Sequence, residues 1–181
     1  FGIDENTCSI FEEQLIKSKY KIILKNDPIY NLKSIKNSTE ISNMKKAHVI
    51  DGVAVTKFLY WFKKNKKIVN EQQVEKKLET FRKRSKLYLY PSFETIAGSG
   101  PNGAIIHYKP TTKTNRNLMK GDIYLVDSGG QYEFGTTDVT RTISLNNTNR
   151  RIKNIFTRVL KGHIAVTNYN LKKNTTGSQI D

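Results

Sequence analysis

Acidic residues are scarce in this chain. Its 181 residues carry 16 Asp and Glu against 31 Lys and Arg, a formal net charge of +15. Such a balance invites nucleic acid as a partner. Charge alone is a weak warrant, however, and Lys and Asn are spread over every stretch that reads as a helix face. The charge is therefore read as a compositional habit, or as a basic piece whose acidic complement lies elsewhere, and no nucleic-acid partner is expected. Cysteine is nearly absent too. Cys8 stands alone, which excludes an intrachain disulfide and suits a reducing compartment; with no histidine near it in sequence, it is not a candidate nucleophile. No apolar run approaches the ~20 residues of a membrane span, so no membrane partner is expected. A signal-peptide pattern is lacking, an absence of little weight. The chain opens on Phe1-Gly2-Ile3-Asp4 without a methionine, so further chain upstream is expected.

What is present falls into three textures. Residues Phe1 to Tyr30 suggest a strand end at Ile3-Asp4, a short helix over Ser9 to Lys17, a strand over Tyr20 to Leu24 and a break at Asp27-Pro28. Thirty residues cannot bury a core of their own, so this piece reads as the tail of an earlier domain. At Asn37-Ser38-Thr39-Glu40 a cap residue precedes a glutamate by three, the pattern of a capping box. A long amphipathic helix follows, with Ile41, Met44, His48, Val55, Phe58 and Phe62 as its apolar stripe; His48 is expected to pack in the core. Asn70 and Gln73 open a second helix with the stripe Val74, Leu78 and Phe81. The basic run Lys63 to Lys67 between them reads as a solvated helix end rather than a localisation signal. From Lys86 to Ile143 short strands and glycine turns take over. A third helix begins after Asn146-Asn147-Thr148, with Ile152, Phe156, Val159, His163 and Val166 on one side. A polar loop covers Lys172 to Ser178, and another helix begins at Ile180-Asp181. The class is α+β.

Two segments carry chemistry. In the first, the strand Ile123-Tyr124-Leu125-Val126 runs into Asp127. Glycines at 129, 130 and 135 mark a turn, and Val139 to Ile143 returns directly after Asp138. Two carboxylates brought together by a returning strand can converge on a hard divalent cation, although each could equally be a turn aspartate making local bonds. In the second, the glycine-rich turn Gly98-Ser99-Gly100-Pro101-Asn102-Gly103 leads into a short apolar strand ending in His107. By position alone that histidine could be a satisfied core residue. Two acids and a histidine are nonetheless the parts of a metal-dependent hydrolase. Thr140 and Arg141 could steady the carboxylates from behind or merely cover the sheet. His163 is read as a packing residue, with an active-site role left open.

Taken together these segments resemble the creatinase/aminopeptidase family, and within it the eukaryotic soluble aminopeptidase P branch. The resemblance runs from Asp27 to Gly162. It rests on Pro28-Ile29-Tyr30-Asn31-Leu32-Lys33, on Lys45-Lys46-Ala47-His48, on Gly98 to Pro110, on Asp127 to Thr142 and on Val159 to Ala165. It implies a pita-bread fold, two related αβ halves around a curved sheet with a dinuclear metal site between them. Residues 27–181 would form the N-terminal portion of that catalytic domain, and residues 1–26 the tail of a preceding creatinase-like domain. Members bind two divalent ions, commonly manganese, through two Asp, one His and two Glu. Asp127 and Asp138 match the aspartates; His107 matches a histidine outside the metal shell that handles substrate. One His and two Glu are expected beyond Asp181.

The resemblance also implies the substrate class, peptides with proline in the second position, as well as a homodimer and a cytoplasmic location. An upstream targeting segment would not be visible. The chain by itself is expected to bind metal weakly and to be inactive. A prolidase-type dipeptidase shares the aspartate spacing but not the Ser99-Gly100-Pro101-Asn102 or Ser128-Gly129-Gly130-Gln131-Tyr132 context. The other alternative, a metal-free pita-bread protein that binds RNA or proteins, is opposed by the retention of Asp127, Asp138 and His107.

Overall fold

The computed structural model describes residues 1–65, 68–146, 149–172 and 175–180. They divide into two units, Phe1–Lys45 and Lys46–Asp181. In the first unit β1 (Gly2–Ile3) pairs in parallel with β2 (Ile23–Leu24), and α1 (Ile10–Lys17) lies between them in sequence. Ser9 starts α1 through a full capping box with Glu12. The strand expected from Tyr20 is confined to Ile23–Leu24, because β1 offers only a two-residue edge. Asp27 does more than break the chain. Its carboxylate accepts the Ile29 N–H at 2.8 Å and so caps α2 (Pro28–Ser34), with Pro28 in the first turn, where a missing N–H costs nothing.

A long helix, α3 (Ser38–Lys64), begins where Asn37 and Glu40 exchange capping bonds of 2.8 and 2.9 Å. Its buried positions are Ala47, Asp51, Ala54, Val55, Phe58 and Phe62. The expected stripe is thus right at Val55, Phe58 and Phe62 but wrong at its start. Ile41, Met44 and His48 are exposed. His48 stands one residue, about 100° of helix turn, past the buried Ala47. Lys63 and Lys64 are solvated at the helix end; Lys66 and Lys67 lie outside the described residues.

Asn70 caps α4 (Glu71–Arg82) through the box with Gln73, and Val74, Leu78 and Phe81 are buried as expected. These side chains meet Phe58 and Phe62 of α3 over Ala97, Tyr124 and Val126 of a three-stranded antiparallel sheet. Its order is β4 (Ile96–Ser99), β5 (Ile123–Ser128), β8 (Val139–Ser144). A second small sheet joins β3 (Tyr88–Pro91), β6 (Gly130–Tyr132) and β7 (Gly135–Thr136). Along β5 exposure alternates: Tyr124, Val126 and Ser128 are buried, whereas Ile123, Leu125 and Asp127 are half-buried. With Tyr124 and Val126 in the helix-packed core, the two-residue period of a strand turns Asp127 to the opposite face.

Asn149 caps α5 (Arg150–Thr167), none of whose residues is buried; Asn147 and Thr148 of the expected lead-in lie outside the described residues. His163 is exposed rather than packed. A short helix, α6 (Gly177–Ile180), occupies the end of the stretch read as a polar loop and starts before Ile180. Lys173, Asn174 and Asp181 lie outside the described residues.

Candidate metal centre

Register places the first aspartate. Asp127 on β5 lies opposite Ile96 on one side and Thr140 on the other. The Thr140 hydroxyl donates to Asp127 Oδ1 at 2.6 Å, which fixes one carboxylate oxygen. Arg141 plays no such part, since its guanidinium donates to the Thr140 carbonyl at 2.8 Å.

The second aspartate is placed by the excursion between β5 and β8. What reads in sequence as a turn is a pair of short strands, β6 and β7, that leaves the β5 sheet and adds to β3. The excursion is pinched shut at its base. Thr137 N–H donates to the Gly130 carbonyl at 2.9 Å, and Gly130 N–H donates to Thr137 Oγ1 at 2.9 Å. Ser92 Oγ donates to the Thr137 carbonyl at 2.8 Å. The approach is so close that a Cβ on Gly129 would stand 1.9 Å from the Thr137 oxygen and 2.2 Å from Ser92 Oγ. Only glycine fits, and Asp138 follows directly on the pinched residue.

The two carboxylates end as neighbours. Shelter from solvent, the negative charge of Asp127 and a hydrogen bond between the two push the Asp138 carboxyl up from its ordinary value. Asp127 is half-buried and Asp138 exposed. Two all-oxygen donors crowded against each other are the setting a hard divalent cation relieves, so the pair fits the dication site expected of it. Among the described residues no group of three or more His, Cys, Asp or Glu is arranged to hold a metal ion. The described residues thus offer two neighbouring carboxylates and no third ligand beside them.

His107 does not end a strand. Gly100–Ala104 forms a 3-10 helix, and Ile105 and Ile106, expected to be strand residues, are 54% and 85% exposed. The reason is the tight return at Gly98, where a Cβ would meet the backbone of Asn102 and Gly103 at 2.7–2.8 Å. The chain coils locally there instead of extending. His107 itself has φ 55°, a conformation uncommon for a side-chain-bearing residue. It is exposed and shares with the aspartates a cleft of about 390 Å³, lined also by Phe93, Ile96 and Tyr108. An ion pair between Lys109 and Glu94 belongs to the same cleft. The structure thus gathers all three residues singled out in the sequence around one opening.

Two buried carboxylates, and the buried Arg82 that pairs with one of them, escaped the sequence reading. Asp51 is held by Arg82 at 2.7 and 3.2 Å and by the Tyr132 hydroxyl at 2.8 Å. Glu71 is fully buried under the His107 loop. Asp51 stands four residues after Ala47 and four before Val55, so a charge inside an apolar stripe was the available signal.

The family model of metallopeptidase family M24 matches residues 42–181. The chain belongs to that family. Among curated M24-like relatives, a probable Xaa-Pro aminopeptidase P of Laccaria bicolor is 44% identical over 168 residues, covering 91% of this chain and 26% of the relative. Xaa-Pro aminopeptidase 1 of Dictyostelium discoideum is 42% identical, covering 88% and 26%. Among solved structures, an X-prolyl aminopeptidase of Caenorhabditis elegans, described as a cytosolic enzyme with a di-nuclear active site, superposes with a TM-score of 0.82 at 32% identity over 88% of this chain and 27% of that one. A prolidase of Pyrococcus furiosus gives 0.79 at 26% identity, covering 99% and 51%. The α+β arrangement is accordingly that of the pita-bread catalytic domain. The chain spans about a quarter of the length of these curated relatives.

Proposed function

We propose that this chain is the aspartate-bearing part of an aminopeptidase that removes the residue preceding a proline at a peptide N-terminus. The observation that carries the reading is the convergence of Asp127, Asp138 and His107 on one cleft of an M24 chain. Relatives named Xaa-Pro aminopeptidase supply the substrate class. Asp127 and Asp138 hold two divalent ions, manganese in our reading, with one His and two Glu from outside these residues completing the set. When bound, such ions lower the pKa of a water and polarise the scissile carbonyl.

The chain's own residues do the rest. Thr140 keeps one Asp127 oxygen in place through its 2.6 Å bond, so the carboxylate need not reorganise when loaded. The pinched base of the β6–β7 excursion does the same for Asp138. His107 donates a hydrogen bond to the substrate carbonyl oxygen as negative charge grows there, an interaction that strengthens toward the transition state. Residues 1–26 are the tail of a preceding creatinase-like domain, and the complete protein is a cytoplasmic homodimer that takes peptides, not nucleic acid. Retention of both carboxylates opposes a metal-free binding protein.

The test uses the full-length protein loaded with manganese. An Xaa-Pro-Pro tripeptide should lose its first residue, and chelation of the metal should stop the reaction. Turnover confined to an Xaa-Pro dipeptide would make the protein a dipeptidase. A metal-free protein that forms a salt-sensitive RNA complex and hydrolyses nothing would defeat the enzymatic reading.

A further inference from the structure

Glu71 is the first residue of α4, yet its side chain is fully buried, and no step above employs it. Its carboxylate accepts from four donors, all drawn from one loop. These are Ser99 N at 2.7 Å, Arg116 N at 3.1 Å, the Tyr108 hydroxyl at 3.0 Å and Asn102 Nδ2 at 3.0 and 3.1 Å. The Glu71 N–H in turn donates to the Arg116 carbonyl at 3.1 Å. One carboxylate thus ties both ends and the middle of the stretch 99–116. Asn102 Nδ2 lies 2.8 Å from the Tyr108 hydroxyl, and both stand within 3.2 Å of the Thr114 carbonyl, which shares their protons with Glu71. His107 lies between these two anchored side chains and directly before Tyr108. Its left-handed backbone, φ 55°, is unfavourable for a residue with a side chain and persists only where surrounding structure over-determines it.

We propose that Glu71 is a positioning residue for His107. By fixing Asn102 and Tyr108 on either side, it holds His107 in its left-handed conformation and so aims the imidazole into the cleft it shares with Asp127 and Asp138. The inference rests on the reading of His107 as the donor to substrate. It assigns Glu71 a part in turnover and none in metal binding.

A double-mutant cycle on the manganese-loaded full-length protein, with an Xaa-Pro-Pro tripeptide, tests it. Glu71→Gln keeps the side-chain volume but turns one acceptor oxygen into an amide that faces donors. His107→Ala alone should lower kcat by about 10²–10³-fold. Glu71→Gln alone should lower kcat by about 10–100-fold, with KM changed by less than about threefold. Added to His107→Ala, it should cost less than about twofold, because the group it positions is gone. Hydrogen exchange in the 99–116 stretch of the metal-free protein should accelerate in Glu71→Gln, a readout independent of turnover.

Equal losses in both backgrounds would mean general structural support and overturn the proposal, as would an unchanged kcat. If Glu71→Gln does not fold, Tyr108→Phe removes one of the four ties and decides through the same cycle. An inactive parent protein, or a fully active His107→Ala, would sink the reading of the site instead. Exchange then decides for Glu71: unchanged rates overturn it, and faster rates retain it as the anchor of the loop.

Discussion

Asp51 shows how far a single residue can govern this fold. It is fully buried in the core of the second unit, with Arg82 on both its oxygens and Tyr132 on one. Burial by itself pushes the Asp51 carboxyl up. The hydrogen bond and charge of Arg82, followed by hydrogen bonds from Tyr132 and Thr137, outweigh burial and leave the group below its ordinary value. The folded value is depressed, so the unfolded chain takes up this proton first as pH falls. The stabilisation is therefore complete above the ordinary carboxylate pKa of about 3.9 and is lost as pH drops through the lowered folded value. At neutral pH, Asp51→Asn leaves Arg82 buried without its counter-charge and should cost about 3–5 kcal/mol in urea unfolding. Below about pH 4 the variant should lose stability less steeply than the parent; identical acid slopes would show that Asp51 is not ionised in the fold. The buried position of Asp51 was readable from its stripe. Its partners, 31 and 81 residues away in sequence, were not, because one-dimensional periodicity says which face is inward and not what meets it.

At the scale of the element, the excursion between β5 and β8 decides whether two carboxylates become one site. Gly129→Ala adds a single methyl group, but against backbone at 1.9 Å, and a carbonyl cannot swing aside as a flexible side chain can. The strand pair has to slide apart, and Asp138 moves with Thr137. The expected outcome is at least about a tenfold loss of manganese affinity in the full-length protein, measured by calorimetry, while circular dichroism stays close to the parent. Unchanged affinity would mean that the pinch does not set the carboxylate spacing. The same element marks the border of what was legible. Strands β5 and β8 stood out by their sheet-forming residues on either side of a glycine-marked turn, and the helix starts at Asn37 and Asn70 by their capping residues, since each of those signals is local. The register Asp127↔Thr140 and the pairing of β6 with β3 are non-local and left no trace in spacing. The 99–108 stretch misled for the opposite reason. Ile105 and Ile106 look like strand residues, yet Glu71, some thirty residues earlier, claims the polar groups around them and coils the segment.

At the scale of the whole molecule, the 181 residues hold the core of α3, α4 and the β4-β5-β8 sheet but leave α5 without a buried residue. Its apolar side is open: Ile155 is 50% exposed, Phe156 52% and Val159 67%. A contiguous exposed apolar face of that kind marks a contact surface. The site shows the same division, with two carboxylates of the proposed ligand set on this chain and no third ligand among the described residues. Losing only a hydrogen-bond partner behind a ligand typically costs 10–100-fold in metal affinity, so lacking ligands outright should cost about 10²-fold or more. Prepared alone, the 181-residue chain should therefore bind manganese at least about 10²-fold more weakly than the full-length protein. It should release nothing from an Xaa-Pro-Pro tripeptide and should enhance the fluorescence of an apolar dye that the full-length protein leaves dim. Calorimetry, a peptidase assay and dye titration on the two proteins side by side check all three. Equal manganese affinity in the short chain would show that Asp127 and Asp138 need no outside ligands, and the division of the site proposed above would then be wrong.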